Sequence, residues 1–221
     1  MNDSDEITDL LLRVDGREAL SARAVGAVHA VCDGAEDHPG RVRVVVRVCG
    51  SPDAGWADGL TVALVNKWER ALRRLERVPA VTVAVADGPV GGTALDVLLA
   101  TDHRIAGRAL RLTLPVRDGV TWPGMSLYRL GRHGAALRHA ALFGTPVEAA
   151  EALALHLVDE VTDTPDQALT HLATALSGVP GPELAIRRQL LFDAATTPFE
   201  EALGPHLAAC DRTLRTTTPT P

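Results

Sequence analysis

The stretch VTVAVADGPVGGTALDVLLATDHRIA, residues 81–106, decides the fold. Its first six residues, 81–86, are valine and alanine apart from Thr82, which predicts a buried strand. The pair Asp87-Gly88 then predicts a turn. Two glycines follow and open an apolar helix, which we expect over 91–101. The stretch therefore predicts a strand that runs through a glycine-containing turn into a helix.

Such a junction aims free backbone N–H groups, and the positive end of the helix dipole, at one point. A phosphate group fits this point, and so does a thioester oxygen that develops enolate charge. The dinucleotide fingerprint GxGxxG and the phosphate-loop pattern GxxxxGK[ST] are both absent from the chain. A plain strand–helix turn, with glycines for close packing, is equally compatible. The loop by itself leaves these interpretations open.

Outside this stretch, strand and helix patterns alternate in the first half of the chain, and helix patterns dominate the second half. Further strands are predicted at 7–14, 41–49, 103–106, 110–114 and 157–161, and further helices at 21–32, 60–77, 125–130, 135–143, 147–156, 165–176, 182–195 and 199–214. This order predicts an α/β protein with a helical C-terminal section. We expect a core over 1–163, a helical docking or oligomerisation region over 164–215, and a disordered tail over 216–221.

Composition narrows the class of protein. A chain of 221 residues suits one domain, and a net charge of −6 with scattered arginines gives no footprint for nucleic acid. The three cysteines, Cys32, Cys49 and Cys210, lie far apart without CxxC spacing, which favours a reducing compartment and no metal site. The acidic N-terminus does not resemble a signal peptide, and no apolar run reaches the roughly 18–20 residues of a membrane span. We expect a cytoplasmic protein that binds no membrane.

Several motifs follow one another in the order and spacing of a known family. The six residues from Thr101 to Ala106 resemble that family's Cys-Asp-x-x-x-Ala stretch. Other matching motifs are Val78-Pro79, Leu114-Pro115, Trp122-Pro123-Gly124, ALFGTP at 141–146, EAAEAL at 148–153 and LVDEV at 157–161. Over residues 41–161 the chain resembles the crotonase (enoyl-CoA hydratase/isomerase) family.

The resemblance implies a spiral of ββα units that assembles into a homo-oligomer, either a trimer or a hexamer. It implies a site for an acyl-CoA thioester, which is the substrate, and no separate cofactor or metal ion. Two backbone N–H groups would bind the thioester oxygen, one from Thr93 and one from Trp56, with Ala57 as the alternative to Trp56. The other implied substrate-binding residues are Gly55, Gly91, Gly92 and Trp122.

The acidic residues match the family only in part. Family hydratases use two carboxylates to add or remove water. The first position is Asp96, three residues after Thr93, where we expect partial burial to raise the pKa of the carboxyl. The second position follows Pro115 and is Val116. Asp118 lies nearby in sequence, but its place in a glycine loop favours the role of a turn residue. The chain is therefore either a lyase that works with one acid or a catalytically reduced binding or scaffold partner.

Four further segments resemble one branch of the family more closely. They are KWERALRRLERVPAVTVAVADG (67–88), GGTALDVLLATD (91–102), TWPGMSLYRL (121–130) and AIRRQLLFDAATTPFEEALGPHLAACDR (185–212). This branch belongs to the dihydroxyphenylglycine pathway of glycopeptide-type antibiotics. It implies work beside a type III polyketide synthase and a sister crotonase-like protein, in the dehydration and aromatisation that lead to 3,5-dihydroxyphenylacetyl-CoA. Trp56 and Trp122, in two loops expected to face each other, favour a flat, oxygenated acyl group.

Overall fold

A mostly parallel sheet of seven strands forms the centre of the protein, in a computed structural model that describes residues 7–53, 55–117, 119–131, 137–175 and 180–217. The main path of the sheet is β1 (Thr8–Asp15), β2 (Val42–Gly50), β3 (Val81–Gly91), β4 (His103–Gly107) and β9 (Glu160–Thr162). Two more strands extend it, because β5 (Arg111–Thr113) pairs with the end of β3 and β8 (Val147–Glu148) pairs with β5. A separate hairpin joins β6 (Val116–Arg117) and β7 (Val120–Thr121).

Helices connect and cover these strands. They are α1 (Ala22–Asp37), α2 (Val62–Leu75), α3 (Thr93–Leu99), α4 (Ser126–Gly131), α5 (Arg138–Phe143), α6 (Ala149–Ala154), α7 (Pro165–Ala175), α8 (Gly181–Ala194) and α9 (Phe199–Thr217). Hydroxyl caps begin the first two helices, since Ser21 accepts from Ala24 N–H at 3.3 Å and Thr61 accepts from Leu64 N–H at 3.2 Å. The predicted α/β class, with its helical C-terminal section, is confirmed.

The central strands of the sheet are buried on both faces, which explains why valine and alanine dominate them. One face carries the main core, where Val44, Val46 and Ala84 pack against Val28 of α1, Trp68 and Leu72 of α2, and Leu98 of α3. The opposite face is covered by α7, whose Ala168 and Leu169 pack against Val45, Val83 and Ile105. The alternating direction of successive side chains divides the same strands between these two cores.

The strand β3 is longer than its sequence pattern predicts. We expected it to end before Asp87-Gly88, but it continues to Gly91. Gly88 has a φ of +67°, a conformation that glycine adopts readily, and the residues after it pair with β5. Val90 also pairs with Gly50 after a shift of register. The apparent turn is therefore a bend inside a strand, and this bend carries the chain to the start of α3.

The helix α8 docks on the core of its own chain through a buried arginine. Arg188 donates to Asp102 at 2.5 and 2.6 Å, and to the carbonyl oxygens of Val78 and Ala80, each at 2.5 Å. Farther along, α9 extends through Thr217 and so includes the first two residues of the predicted tail. Residues 218–221 lie outside the described residues, as do residues 135–136 at the start of the predicted helix 135–143.

Candidate active site

The start of α3 is built from two glycines in close contact with neighbouring loops. A Cβ on Gly91 would lie 2.8 Å from Thr113 Oγ1, and one on Gly92 would lie 2.8 Å from Pro52. Gly92 caps the helix with a φ of +56° and a ψ of −130°, a conformation that only glycine adopts without strain. Thr93 is the first helical residue, so its N–H has no carbonyl acceptor within the helix.

Asp96 lies one turn after Thr93 and is completely buried. Its Oδ2 accepts hydrogen bonds from two indole N–H groups, that of Trp122 at 2.8 Å and that of Trp68 at 3.1 Å. Its Oδ1 accepts a short hydrogen bond from the hydroxyl of Ser126. Because the two indoles use both lone pairs of Oδ2, only Oδ1 has a lone pair left for a further partner.

The surroundings of Asp96 change its acidity. Burial raises the pKa of this carboxyl from 3.8 to about 6, and the negative charge of Glu69 adds to the rise, while the hydrogen bonds from Ser126, Trp122 and Trp68 lower it. Glu69 itself is paired with Arg129 at 3.0 Å. A carboxyl with a pKa near 6 can both take and give a proton near neutral pH. We expected partial burial here, and the carboxylate is instead fully enclosed.

The loop after β2 brings Trp56 beside Trp122. Their ring centroids lie 5.5 Å apart, with an angle of 64° between the ring planes. The backbone N–H of Trp56 donates to the carbonyl oxygen of Asp53 at 3.4 Å, and the N–H of Gly55 donates to Asp53 Oδ1 at 2.9 Å. Within the described part of the chain the N–H of Ala57 has no hydrogen-bond partner. Of the two predicted donors in this loop, Ala57 therefore has the freer amide.

A cavity of about 540 Å³ opens at the carboxyl ends of β1 and β2, and Thr93 is part of its wall. This is the edge of a parallel sheet at which α/β proteins bind their ligands. Its wall includes the side chains of Arg13, Arg23 and Arg47. Arg23 is paired with Glu18 and Arg47 with Asp166, whereas Arg13 has no hydrogen bond or ion pair among the described residues.

The second acid position holds a side chain of a different kind. Val116 begins the hairpin and is 51% exposed, with one methyl group near Gly144. Asp118 lies outside the described residues. Pro115 connects this hairpin to the site, because its carbonyl oxygen accepts from the N–H of Trp122 at 2.9 Å. Asp96 is thus the acidic residue in the first turn of α3.

Two partners of Asp96 were missed by sequence reasoning. Trp68 falls on the apolar stripe of its helix, and its ring is indeed in the core, but the stripe gives no signal that its N–H reaches Asp96. Ser126 follows the Trp122-Pro123-Gly124 motif, and nothing in the local sequence indicates that its hydroxyl binds Asp96. Gly124 was a better clue, since a Cβ there would overlap the Asp96 carboxylate and Trp122 Nε1. A glycine in this motif marks the close approach of its backbone to the site.

Neither a metal site nor a membrane helix is found in the described structure. Within those residues His, Cys, Asp and Glu do not gather in groups of three or more that could hold a metal ion. None of the described helices combines the length and apolar character that crossing a membrane requires.

Comparison with known proteins identifies the family. A scan against models of protein families finds no match. A protein of Amycolatopsis orientalis named "Enoyl-CoA-hydratase" is 53% identical over 209 residues, which cover 94% of this chain and 96% of the relative. The solved structure of an enoyl-CoA hydratase from Shewanella pealeana matches with a TM-score of 0.80 at 19% identity, over 99% of this chain and 87% of that one. An enoyl-CoA hydratase from Mycobacterium smegmatis also has a TM-score of 0.80, at 17% identity, over 96% of this chain and 88% of that one. The fold, and above all the relative that matches over nearly the full length, show that this chain belongs to the crotonase (enoyl-CoA hydratase) family.

Proposed function

We propose that the protein binds an acyl-CoA thioester in the cavity at the carboxyl ends of β1 and β2. The observation that carries this proposal is that one cavity wall joins Thr93, at the start of α3, to three arginines. Coenzyme A carries phosphate groups at one end and the reactive thioester at the other. Arginine guanidinium groups bind phosphates with paired hydrogen bonds, and a free amide binds a thioester oxygen.

The proposed chemistry starts from enolate stabilisation. The N–H groups of Thr93 and Ala57 bind the thioester oxygen as it gains negative charge, and Trp56 remains the alternative to Ala57. Asp96 accepts the proton from the α-carbon at Oδ1, because the hydrogen bonds from the two indoles occupy both lone pairs of Oδ2. The same proton then passes to a departing hydroxyl group, so that water leaves and a carbon–carbon double bond forms. One carboxylate is enough for this sequence of proton transfers.

Within this chemistry, we propose dehydration and aromatisation of a polyketide acyl-CoA towards 3,5-dihydroxyphenylacetyl-CoA. The partners would be a type III polyketide synthase, which joins the chain units, and a sister crotonase-like protein. Two features support this role. The second acid position is Val116, and loss of water from such a substrate is favoured by the aromaticity of the product, so that a strong second acid is not needed. The C-terminal segment 185–212 also resembles this branch of the family.

A second candidate function is that of a binding or scaffold partner without chemistry of its own. The enclosure of Asp96 favours it, since the carboxylate is 0% exposed and a substrate atom reaches it only if the neighbouring side chains move. In this case the protein would raise the output of the synthase by holding or protecting its product.

The two candidates are separated by incubating the isolated protein with a chemically made, non-aromatic β-hydroxyacyl-CoA thioester in the absence of the synthase. An enzyme releases water and forms the conjugated product, which is followed by absorbance and mass spectrometry. Binding of the thioester without any conversion would overturn the enzyme proposal and leave the scaffold role.

We also propose that the protein is a homo-oligomer, a trimer or a hexamer. The long helix α9 makes its main contacts with α8 and leaves an apolar stripe exposed, formed by Phe199, Leu203, Leu207 and Leu214. Burial of these side chains against another subunit would remove apolar surface from water. Light scattering at micromolar concentration should give a mass of three or six chains, and a uniform monomer would refute this proposal.

A further inference from the structure

All three tryptophans of the chain meet at one point, although they lie in three separate segments. Trp68 and Trp122 both direct their indole N–H groups at Asp96 Oδ2. Trp56 completes the group by its contact with the ring of Trp122. The chain has only 3% aromatic residues, so this concentration of large rings around one carboxylate sets the site apart from the rest of the core.

The third indole differs from the other two in one respect. Trp56 is only 6% exposed, and its buried Nε1 finds no hydrogen-bond partner among the residues that the structure describes. A buried donor without an acceptor costs about 1–3 kcal/mol, and folded proteins rarely tolerate one without a reason. An indole N–H can only donate, so a missing partner must supply an acceptor atom.

The position of Trp56 links this free donor to the proposed acyl site. The ring of Trp122, which it touches, lies 3.7 Å from the place where a Cβ on Gly92 would stand. Gly92 directly precedes Thr93, whose amide is the proposed donor to the thioester oxygen. Trp56 also lies one residue from Ala57, the other proposed donor. An acyl group whose thioester oxygen sits between these two amides therefore begins near the Trp56–Trp122 ring pair.

We infer that Trp56 Nε1 is a specificity-determining donor, which selects acyl groups that carry a hydroxyl or keto oxygen over otherwise identical groups that lack it. This inference rests on the proposed function and names the substrate class of the same site. The oxygen of the acyl group accepts the hydrogen bond that the protein itself leaves unmade. A ligand with the matching oxygen gains this hydrogen bond and relieves the unpaired donor, whereas a ligand without it gains nothing there, so the site prefers the oxygenated ligand.

The test compares two thioesters that differ only in their oxygens, phenylacetyl-CoA and 3,5-dihydroxyphenylacetyl-CoA. Their dissociation constants are measured by calorimetry on the full chain and on Trp56→Phe, which keeps a ring but removes the N–H. We expect the full chain to prefer the dihydroxy compound, and Trp56→Phe to reduce this preference about 5- to 10-fold, the value of one hydrogen bond. Tyr128→Phe, which removes the phenolic hydroxyl of an exposed residue of α4, should leave the preference unchanged.

A second measurement uses the unchanged protein and therefore does not depend on the folding or binding of a variant. In protein labelled with ¹⁵N, one of the three indole N–H signals should move downfield when the dihydroxy compound is added and stay in place with phenylacetyl-CoA. An unchanged preference in Trp56→Phe together with unmoved indole signals would overturn the inference and assign the partner of Nε1 to an ordered water. If neither thioester binds the full chain, the proposed function fails, and the inference fails with it.

Discussion

The indole Nε1 of Trp122 donates a hydrogen bond to Oδ2 of Asp96 across 2.8 Å, and 26 positions of the chain separate the two residues. This bond fastens the loop after the β6–β7 hairpin to the helix that starts the candidate site. It also helps to keep the buried carboxylate charged, because a hydrogen bond to the ionised form lowers the pKa of the acid. Position and acidity of Asp96 therefore depend on the same contact.

Removal of this bond should cost stability. Trp122→Phe leaves a buried carboxylate oxygen with one donor fewer, so we expect the free energy of unfolding at pH 7.5 to fall by about 1–3 kcal/mol. Trp56→Phe is the matched control, since it removes an indole N–H that has no partner within the described part of the chain. Urea unfolding followed by circular dichroism measures both. Equal losses in the two variants would show that the bond to Asp96 contributes nothing beyond packing.

The raised pKa of Asp96 predicts a particular dependence of stability on pH. The folded protein holds this proton up to about pH 6, whereas the unfolded chain releases it near 3.8. The stabilisation from this group is thus complete below about pH 3.8 and is lost as the pH rises through 6. Asp96→Asn can accept both indole bonds and donate to Ser126, and it does not titrate.

The comparison of interest is the difference in unfolding free energy between Asp96→Asn and the unchanged protein. We expect the variant to gain stability relative to the unchanged protein as the pH rises from 4.5 to 6.5, with a plateau above that range. The contributions of the other carboxyl groups to the pH dependence are the same in both proteins and cancel in this difference. A difference that stays constant with pH would mean that the pKa of Asp96 is not raised.

The contact between Arg188 and Asp102 should hold the C-terminal helices on the core. Arg188→Gln leaves a carboxylate without its charged partner and two carbonyl oxygens without donors, so we expect a loss of about 3 kcal/mol or more. Arg187→Gln, one residue earlier on the same helix, breaks an exposed pair with Glu183 and should cost less than about 1 kcal/mol. Chemical unfolding gives both values. Similar losses from the two variants would rule out a special role for the buried pair.

A methyl group at Gly124 should disturb the site directly. Gly124→Ala places a Cβ where the Asp96 carboxylate and Trp122 Nε1 now lie, so the hydrogen bond between them must break or shift. We expect a loss of more than about 1 kcal/mol, as for other overpacked sites. A Cβ on Gly131, at the end of α4, would meet no atom of the described residues within 4 Å, so Gly131→Ala should change stability by less than about 0.5 kcal/mol. Wild-type stability in Gly124→Ala would contradict the packing described around Asp96.

Much of the fold could be predicted from the sequence because its central strands are buried on both faces. Stretches rich in valine and alanine, such as 44–46 and 83–86, leave few alternatives to a parallel sheet with helices on either side. The bend at Asp87-Gly88 could not be predicted as part of a strand, since its pairing partners, Gly50 and the residues of β5, come from distant parts of the chain. The local sequence at Asp87-Gly88 predicts a turn, whereas pairing with distant segments keeps these two residues within β3.

The candidate site was predictable where its residues lie close together in sequence. Thr93 and Asp96 occupy one helical turn, and spacing alone places them on one face. The enclosure of Asp96 could not be predicted, because Trp68 and Ser126 come from other elements and each has an ordinary packing role by local pattern. The choice between Trp56 and Ala57 depends on which amide the loop's own turn uses, and only the loop conformation decides that.

The most direct test of the central claim is the rate of 3,5-dihydroxyphenylacetyl-CoA formation by the type III polyketide synthase in the presence of this protein or of its Asp96→Asn variant. This protein should increase the rate of product formation above that of the synthase alone. If Asp96 moves the proton during loss of water, this increase should be about 100-fold or more smaller with the folded Asp96→Asn variant. A folded Asp96→Asn protein that supports the full rate would contradict the account.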